Sequence, residues 1–256
     1  MARFKLITTI FLRQFFLIKR SMHRILGLFY WSAIEIFLWG FLTVYLYSVG
    51  GSEFGFITVV IGAVILWNFL LRVQQGIAVS FLEDVWARNL VNLFASPLTI
   101  GQYLSGLVLT SIFTSLVAMT FMVVTAWLLF TYNLFQFGFL MLPFIFILFF
   151  FGLALGLFTT ATILRFGPSS EILAWSIPTL IPPFSGVFYP IDTLPQWIQP
   201  VAKIIPASYV FEGMRSIVLT GTFNFNQLLL ASILAVVFFV VMYWYLLRSY
   251  RYVLRK

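Results

Sequence analysis

The sequence contains no cysteine and only one histidine, His23. Without cysteine, the chain forms no disulfide bond, iron–sulfur cluster or thiolate zinc site. A single histidine excludes a His-Glu-x-x-His zinc site, and it leaves a Ser-His-Asp triad only if the triad forms beside the basic N-terminal segment. We therefore expect no metal site, no cofactor bound by this chain and no catalytic residues.

Lysine is also scarce, and none of the four lysines follows a glycine. A P-loop needs Gly-Lys-Ser/Thr, because the lysine must reach phosphates that the glycine-rich backbone cradles. The chain is therefore not expected to bind ATP through a P-loop.

Charged residues make up only 9% of the sequence, whereas 62% is hydrophobic and the mean hydropathy is +1.06. That leaves too little polar surface to cover a soluble protein of 256 residues. The net charge of +8 comes from basic residues that flank apolar runs, whereas nucleic-acid-binding proteins cluster them on a folded face. We conclude that the chain is an integral membrane protein, whose partner is a lipid bilayer and not a nucleic acid.

Six apolar runs predict an all-α polytopic membrane protein with six spanning helices. Ahead of them, a basic stripe opposite an apolar one predicts that residues 1–24 form an amphipathic helix on the membrane surface. Pro178, Pro182 and Pro183 interrupt the fifth run, so a kinked or broken helix is expected there. Gly152 and Gly156 permit close helix approach in the fourth. The predicted spans are residues 25–47, 54–79, 103–132, 137–164, 172–189 and 228–247, with a turn at Gly50-Gly51-Ser52 before the second.

Residues 81–102 form a polar interval between the second and third runs. Glu83, Asp84 and Arg88 fall within six residues, apolar positions recur at helical spacing, and Pro97 then turns the chain. This pattern predicts an amphipathic helix that faces a protein outside the membrane. An ordinary solvated loop is the alternative.

Residues 195–220, between the fifth and sixth spans, contain two short apolar faces that follow Pro190. Trp197 opens the first, and Glu212 and Arg215 lie three apart in the second, where they can pair. Both pieces are too short to cross a bilayer, so they are expected to dip into one leaflet or to lie on it.

Glu35 and Arg72 are the charges well inside the predicted spans. Arg72 is placed about 9 Å from the inner end of its span and Glu35 about 15 Å beyond Ile25, close enough to predict an ion pair. Aromatic residues near the spans can stack on sugar rings or pack against acyl chains, although belts at the membrane interface would look the same. The candidates for a substrate path are Trp39, Trp67, Phe184, Phe188 and Tyr189.

Orientation follows from the basic residues outside the spans. Six before the first span, two in loops and four at the C-terminus lie on one side, twelve in all, against two on the other. Both termini and Arg88 are therefore predicted to be cytoplasmic. Because Asp84 and Asp192 then fall on opposite sides of the membrane, they cannot form an aspartyl dyad, so we expect no membrane enzyme.

Two segments resemble the type-2 (ABC-2, type V exporter-like) permease subunits of ATP-binding-cassette exporters. One is LFASPLTIGQYLSG at residues 93–106, which follows Arg88. The other is FSGVFYPIDTLPQWIQPVAKIIPASYVFEGMR at residues 184–215. With six spans and an amphipathic start, the resemblance extends over almost the whole chain, which would be a single transmembrane domain.

The resemblance implies a permease in the cytoplasmic (inner) membrane that dimerises with a second copy and recruits two separate ATPase subunits, which hold ATP and Mg²⁺. It implies outward transport of a lipid-linked saccharide, a lipid or a hydrophobic drug. In the family, the segment between spans two and three couples to the ATPase, and the short helices after span five close the outer end of the pathway. The coupling residues would be Glu83, Asp84, Arg88 and Pro97, and the outer gate would be Pro190, Trp197, Glu212 and Arg215.

A channel that uses no nucleotide, or a six-span scaffold, is the competing interpretation. A channel tends to need a polar or charged ring along its path, and the predicted spans hold only Glu35 and Arg72. A scaffold would not need the charged segment at residues 81–102. Co-purification with a nucleotide-binding subunit would distinguish these functions.

Overall fold

The computed structural model of the protein describes residues 2–50 and 54–253. Gly51 and Ser52 of the predicted turn, and the basic residues Arg255 and Lys256, lie outside the described residues. Eleven α-helices follow one another within the described ranges. They are α1 (Ala2–Arg20), α2 (Met22–Gly50), α3 (Phe54–Trp86), α4 (Leu90–Phe94), α5 (Ile100–Phe130), α6 (Met141–Phe166), α7 (Ile172–Leu180), α8 (Pro182–Ser185), α9 (Gln199–Ile204), α10 (Pro206–Thr220) and α11 (Phe225–Val253).

Helix α3 is the centre of the bundle. It packs against α2, α5 and α6, and most of its middle is buried, whereas α2 and α11 are largely exposed along their lengths. A helix that is apolar on most of its circumference can be surrounded by other helices, and α3 has that composition from Phe54 to Leu71. Helices α2, α5 and α6 therefore surround α3, and α11 packs on the outside of α6.

Glycines allow α3 to approach its neighbours closely. A Cβ atom added to Gly152 of α6 would lie 2.9 Å from the carbonyl oxygen of Leu70, and one added to Gly156 would lie 3.0 Å from that of Gln74. A Cβ on Gly76 of α3 would lie 2.7 Å from the Cα atom of Ser111. The close approach that the Gly152 and Gly156 pair predicts is therefore confirmed.

Five of the helices in the described ranges are long and apolar enough to cross a membrane, so the predicted count of six is not confirmed. The difference lies at residues 172–189. Proline lacks an N–H group for the helical hydrogen bond, and here the chain divides into α7, of nine residues, and the single turn α8. Nine helical residues extend about 14 Å, which is half a bilayer core. The predicted break in this run is confirmed.

The N-terminal helix and the two short helices near the C-terminus form where the sequence predicts them. Helix α1 packs on α5 through Ile10, whose Cβ would lie 2.5 Å from a Cβ placed on Gly106. Helices α9 and α10 follow a loop with a short 3₁₀ turn at Ile191–Thr193. Trp197 precedes α9 and belongs to no helix.

Candidate transport cavity and coupling surface

A cavity of about 680 Å³ lies between α1, α2, α3 and α7. It begins beside Arg24 and Glu83, near the junction of α1 with α2, and continues to Asn68, fifteen residues back from Glu83 along α3. That separation corresponds to about 22 Å of helix, so the cavity reaches deep into the bundle. Its lining combines polar, charged and aromatic side chains: Gln14, Ile18, His23, Arg24, Gly27, Leu28, Trp31, Glu35, Asn68, Leu71, Arg72, Gln75, Gly76, Val79, Ser80, Glu83, Thr114, Trp175 and Thr179.

One face of α3 supplies the longest wall of this cavity. Its lining positions recur every three or four residues, which is the spacing of one helical face. Polar and charged side chains dominate that face, although most of the rest of the helix is apolar. The lining residues from α3 are Asn68, Leu71, Arg72, Gln75, Gly76, Val79, Ser80 and Glu83.

A chain of hydrogen bonds joins Arg72 to Glu35 across the wall between α2 and α3. Nη2 of Arg72 donates to Oγ of Ser32 at 3.2 Å, which donates to Oδ1 of Asn68 at 3.1 Å. Nδ2 of Asn68 then donates to Oε2 of Glu35 at 2.8 Å. Nη2 of Arg72 also donates to the Gly27 carbonyl oxygen at 3.1 Å. The donors all point from the cation toward the carboxylate, an arrangement in which hydrogen bonds strengthen one another.

The predicted ion pair between Glu35 and Arg72 is therefore wrong in its geometry, because Ser32 and Asn68 stand between the two charges. The predicted end of the helix that carries Arg72 is wrong as well. Helix α3 does not end near residue 79 but continues to Trp86. Arg72 thus lies fourteen residues from that end, about 21 Å, because the charged residues at positions 83 and 84 are accommodated inside the helix.

Glu83 and Asp84 turn inward, toward α1 and α2. Asp84 is buried and accepts hydrogen bonds from Arg13, from the Tyr103 hydroxyl at 2.7 Å and from Nδ2 of Asn89 at 3.2 Å. The hydrogen bonds from Arg13 to the Asp84 carboxylate raise the pKa of the Arg13 guanidinium. Glu83 forms an ion pair with Arg24 at 3.0 Å. The Asp84 carboxylate is thus enclosed by protein, whereas the Glu83 side chain stays 29% exposed. The separate amphipathic helix predicted to carry both residues is the last turn of α3.

Arg88 and Pro97 do face outward. Arg88 is exposed and has a φ of 51°, a left-handed conformation that is uncommon for a residue other than glycine and that ends the helix abruptly. Helix α4 follows, and Pro97 is exposed in the turn before α5, whose first turn is capped by Thr99 and Gln102. We call residues 86–97 the α4 surface.

The loop between α6 and α7 contacts the α4 surface. Nε1 of Trp86 donates to Oε2 of Glu171 at 2.9 Å, and Phe166 nearby along the chain is exposed. Two interhelical connections therefore lie together at the end of the bundle that carries α1.

At the segment predicted as an outer gate, Glu212 and Arg215 form the ion pair that their spacing predicts, at 2.9 Å. Oε1 of Glu212 also accepts from the Ile191 N–H at 2.7 Å, and Nη2 of Arg215 donates to the Gly186 carbonyl oxygen at 2.9 Å. The pair therefore fastens α10 to the loop between α8 and α9. Pro190 and Trp197 are exposed on that loop.

A family model described as ABC-2 type transporter matches residues 5–219, most of the chain. The protein belongs to the ABC-2 type transporter family. It is thus a permease component of an ABC transporter and a multi-pass membrane protein, as the two resembling segments predict. No curated protein matched the sequence in a direct comparison.

The five aromatic residues proposed for the substrate path of the permease do not line the cavity. Trp67 is 6% exposed and contacts Phe211, and Trp39 stacks on Phe188 with ring centroids 4.3 Å apart. The hydroxyl of Tyr189 donates to the Pro183 carbonyl oxygen, and Phe184 is half-buried. Within one chain these side chains pack against protein, so their role in the path stays a prediction.

Sequence reasoning missed most of the residues that do line the cavity of the permease. Trp31 and Trp175 supply its aromatic surface, at 61% and 49% exposure, and Asn68 and Gln75 supply amides. The α3 positions carried a detectable signal, namely polar residues at helical spacing inside an apolar run. Trp175 of α7 carried none, because only the fold brings it beside α2 and α3.

Proposed function

We propose that the permease exports an amphipathic substrate outward across the cytoplasmic membrane, driven by ATP hydrolysis on separate ABC ATPase subunits. The substrate would be a lipid-linked saccharide, a lipid or a hydrophobic drug. Two permease copies and two ATPase subunits would form the transporter, with Mg-ATP bound by the ATPases.

The observation that carries this proposal is the position of the cavity. It extends from Arg24 and from Glu83, which is close along the chain to the α4 surface, along α3 toward the middle of the bundle. Helix α3 forms the cavity wall with one part and ends at the α4 surface with another. A displacement of the α4 surface by an ATPase subunit would therefore be transmitted by α3 to the side chains that line the cavity.

An aqueous channel is the weaker candidate, because the cavity wall ends among buried apolar residues. Beyond Asn68 toward its N-terminus, α3 is buried and apolar at Leu66, Ile65 and Val64. A substrate must therefore be moved past this region by a change of conformation, which an energy source such as ATP hydrolysis would drive.

The test is to purify the tagged permease in a mild detergent and to measure the ATPase activity that accompanies it. We expect co-purified ABC ATPase subunits whose hydrolysis rises when an amphiphile is added. Free sugars and small ions should not stimulate it. A permease that retains no ATPase in any mild detergent, or hydrolysis that responds only to hydrophilic solutes, would contradict the proposal.

A further inference from the structure

The charges in the cavity form two sets. Near the junction of α1 with α2, Arg24 and Glu83 neutralise each other in an ion pair. Deeper in the cavity, Arg72 and Glu35 lie close enough for their charges to interact, but no ion pair joins them. The inner part of the cavity therefore presents one cation and one anion that are separated by Ser32 and Asn68.

Both inner charges have unused hydrogen-bonding capacity. A guanidinium has five N–H donors, and both hydrogen bonds of Arg72 leave from Nη2. Its Nη1 and Nε groups make no hydrogen bond to the described residues. Glu35 accepts one hydrogen bond, on Oε2, and Oε1 accepts none from them. Because both side chains line the cavity, this capacity is available to a ligand.

A ligand that displaces water from this site must satisfy both charges. A purely anionic headgroup would pair with Arg72 and leave Glu35 desolvated beside a second negative charge, and a purely cationic headgroup would do the converse at Arg72. An uncharged headgroup would supply no opposite charge to either side chain. A headgroup that carries both charges is the electrostatic complement of the site.

The cavity also provides apolar surface beside the charges. Trp31 and Trp175 flank it with half-exposed rings, and Leu28 and Leu71 line it between α2 and α3. Such rings pack well against acyl chains. Apolar chains of a ligand could therefore leave the cavity along these surfaces while its headgroup stays between Arg72 and Glu35.

We propose that this cavity binds the headgroup of a zwitterionic amphiphile, with its phosphate or carboxylate on Arg72 and its ammonium group on Glu35. The inference rests on the proposed function and names the headgroup chemistry of the substrate. It assigns the recognition of charge to α2 and α3 of one chain, so a single permease subunit contains the complete headgroup site.

The test measures lipid binding to the full-length permease alone, without ATPase, by native mass spectrometry in a non-ionic detergent. Four ligands share dioleoyl chains and differ in headgroup: phosphatidylethanolamine, phosphatidylglycerol, a quaternary ammonium lipid and uncharged dioleoylglycerol. We expect phosphatidylethanolamine to bind at least tenfold more tightly than each of the others. Soluble glycerophosphoethanolamine should not displace it, and displacement would contradict the requirement for apolar chains.

Two variants should shift the preference in opposite directions. Arg72→Gln should favour the quaternary ammonium lipid, and Glu35→Gln should favour phosphatidylglycerol. Arg248→Gln is the control, because Arg248 is exposed and does not line the cavity. It should leave the order of affinities for the four lipids as in the wild type. Equal binding of all four lipids, a wild-type preference for a singly charged lipid, or shifts in the same direction in both variants would each overturn the inference. Because binding needs no nucleotide, a permease that binds as expected but never stimulates an ATPase would instead refute the proposed function.

Discussion

Arg13 of α1 donates two hydrogen bonds to the carboxylate of Asp84, 71 residues later in the chain, and this contact fastens the N-terminal helix to the end of α3. The Arg13 side chain is 29% exposed and that of Asp84 is 3% exposed, so the carboxylate depends on its partners for solvation. Tyr103 of α5 binds the same carboxylate, so one buried group joins three helices.

Replacing Arg13 by Gln should therefore destabilise the permease by about 1–3 kcal/mol, since a buried carboxylate loses its charged partner. The Arg13→Gln/Asp84→Asn double variant should lose less than the sum of the single losses. Thermal unfolding in detergent measures both. Arg20→Gln, at an exposed position of the same helix, is the matched control and should stay within about 0.5 kcal/mol. Additive losses would show that Arg13 and Asp84 act independently.

The sequence predicts the features that depend on neighbouring residues in the chain, and it fails for contacts between residues that are far apart in the chain. Hydropathy and helical periodicity locate the long helices, the proline break after α7 and the pair of Glu212 with Arg215, because each is a local property of the chain. They misplace Glu83 and Asp84, since two adjacent carboxylates normally end a span. Only the folded structure shows that Arg24 forms an ion pair with Glu83 and that Arg13 forms one with Asp84. The direct pair of Glu35 with Arg72 fails for the same reason, because Asn68 and Ser32 meet only after α2 packs on α3.

Transport should depend on Arg88 more than on Glu83. Arg88 is exposed on the α4 surface, whereas Glu83 is paired with Arg24. Arg88→Glu should reduce ATPase co-purification and amphiphile-stimulated hydrolysis by at least tenfold, because a reversed charge at a docking surface costs several kcal/mol. The unfolding temperature should not change. Arg20→Glu makes the same charge change elsewhere on this end of the bundle, and an equal loss there would indicate a general effect of charge.

The orientation of the permease can be read from two single cysteines, since the chain has none of its own. Arg88→Cys and Trp197→Cys both replace exposed residues at opposite ends of the bundle. In intact cells, a membrane-impermeant maleimide should label the cysteine at position 197 and not the one at position 88. Permeabilised cells should label both. The reverse pattern in intact cells would mean that the basic end of the bundle is outside.

Close packing of α3 and α6 should make Gly152 intolerant of any side chain. In Gly152→Ala the new methyl group would lie 2.9 Å from the Leu70 carbonyl oxygen, too close for ordinary contact, so the helices must separate. We expect a loss of about 1–3 kcal/mol in thermal unfolding. Gly101→Ala is the control, because nothing lies within 4 Å of that position and alanine favours the helix. A stable Gly152→Ala variant would mean that α6 can move away from α3 at little cost.

The hydrogen bonds between α2 and α3 also bear on how the permease is made. Helix α3 carries Asn68, Arg72 and Gln75 in its middle, and an arginine at the centre of a lone helix opposes insertion into a bilayer by about 2.5–3.5 kcal/mol. Its acceptors, the Gly27 carbonyl oxygen and Ser32, lie on the helix synthesised just before it. Helix α3 should therefore leave the translocon together with α2, as a pair. In a glycosylation reporter, residues 54–86 alone should insert poorly, residues 22–86 should insert well, and Arg72→Leu should remove the dependence on α2.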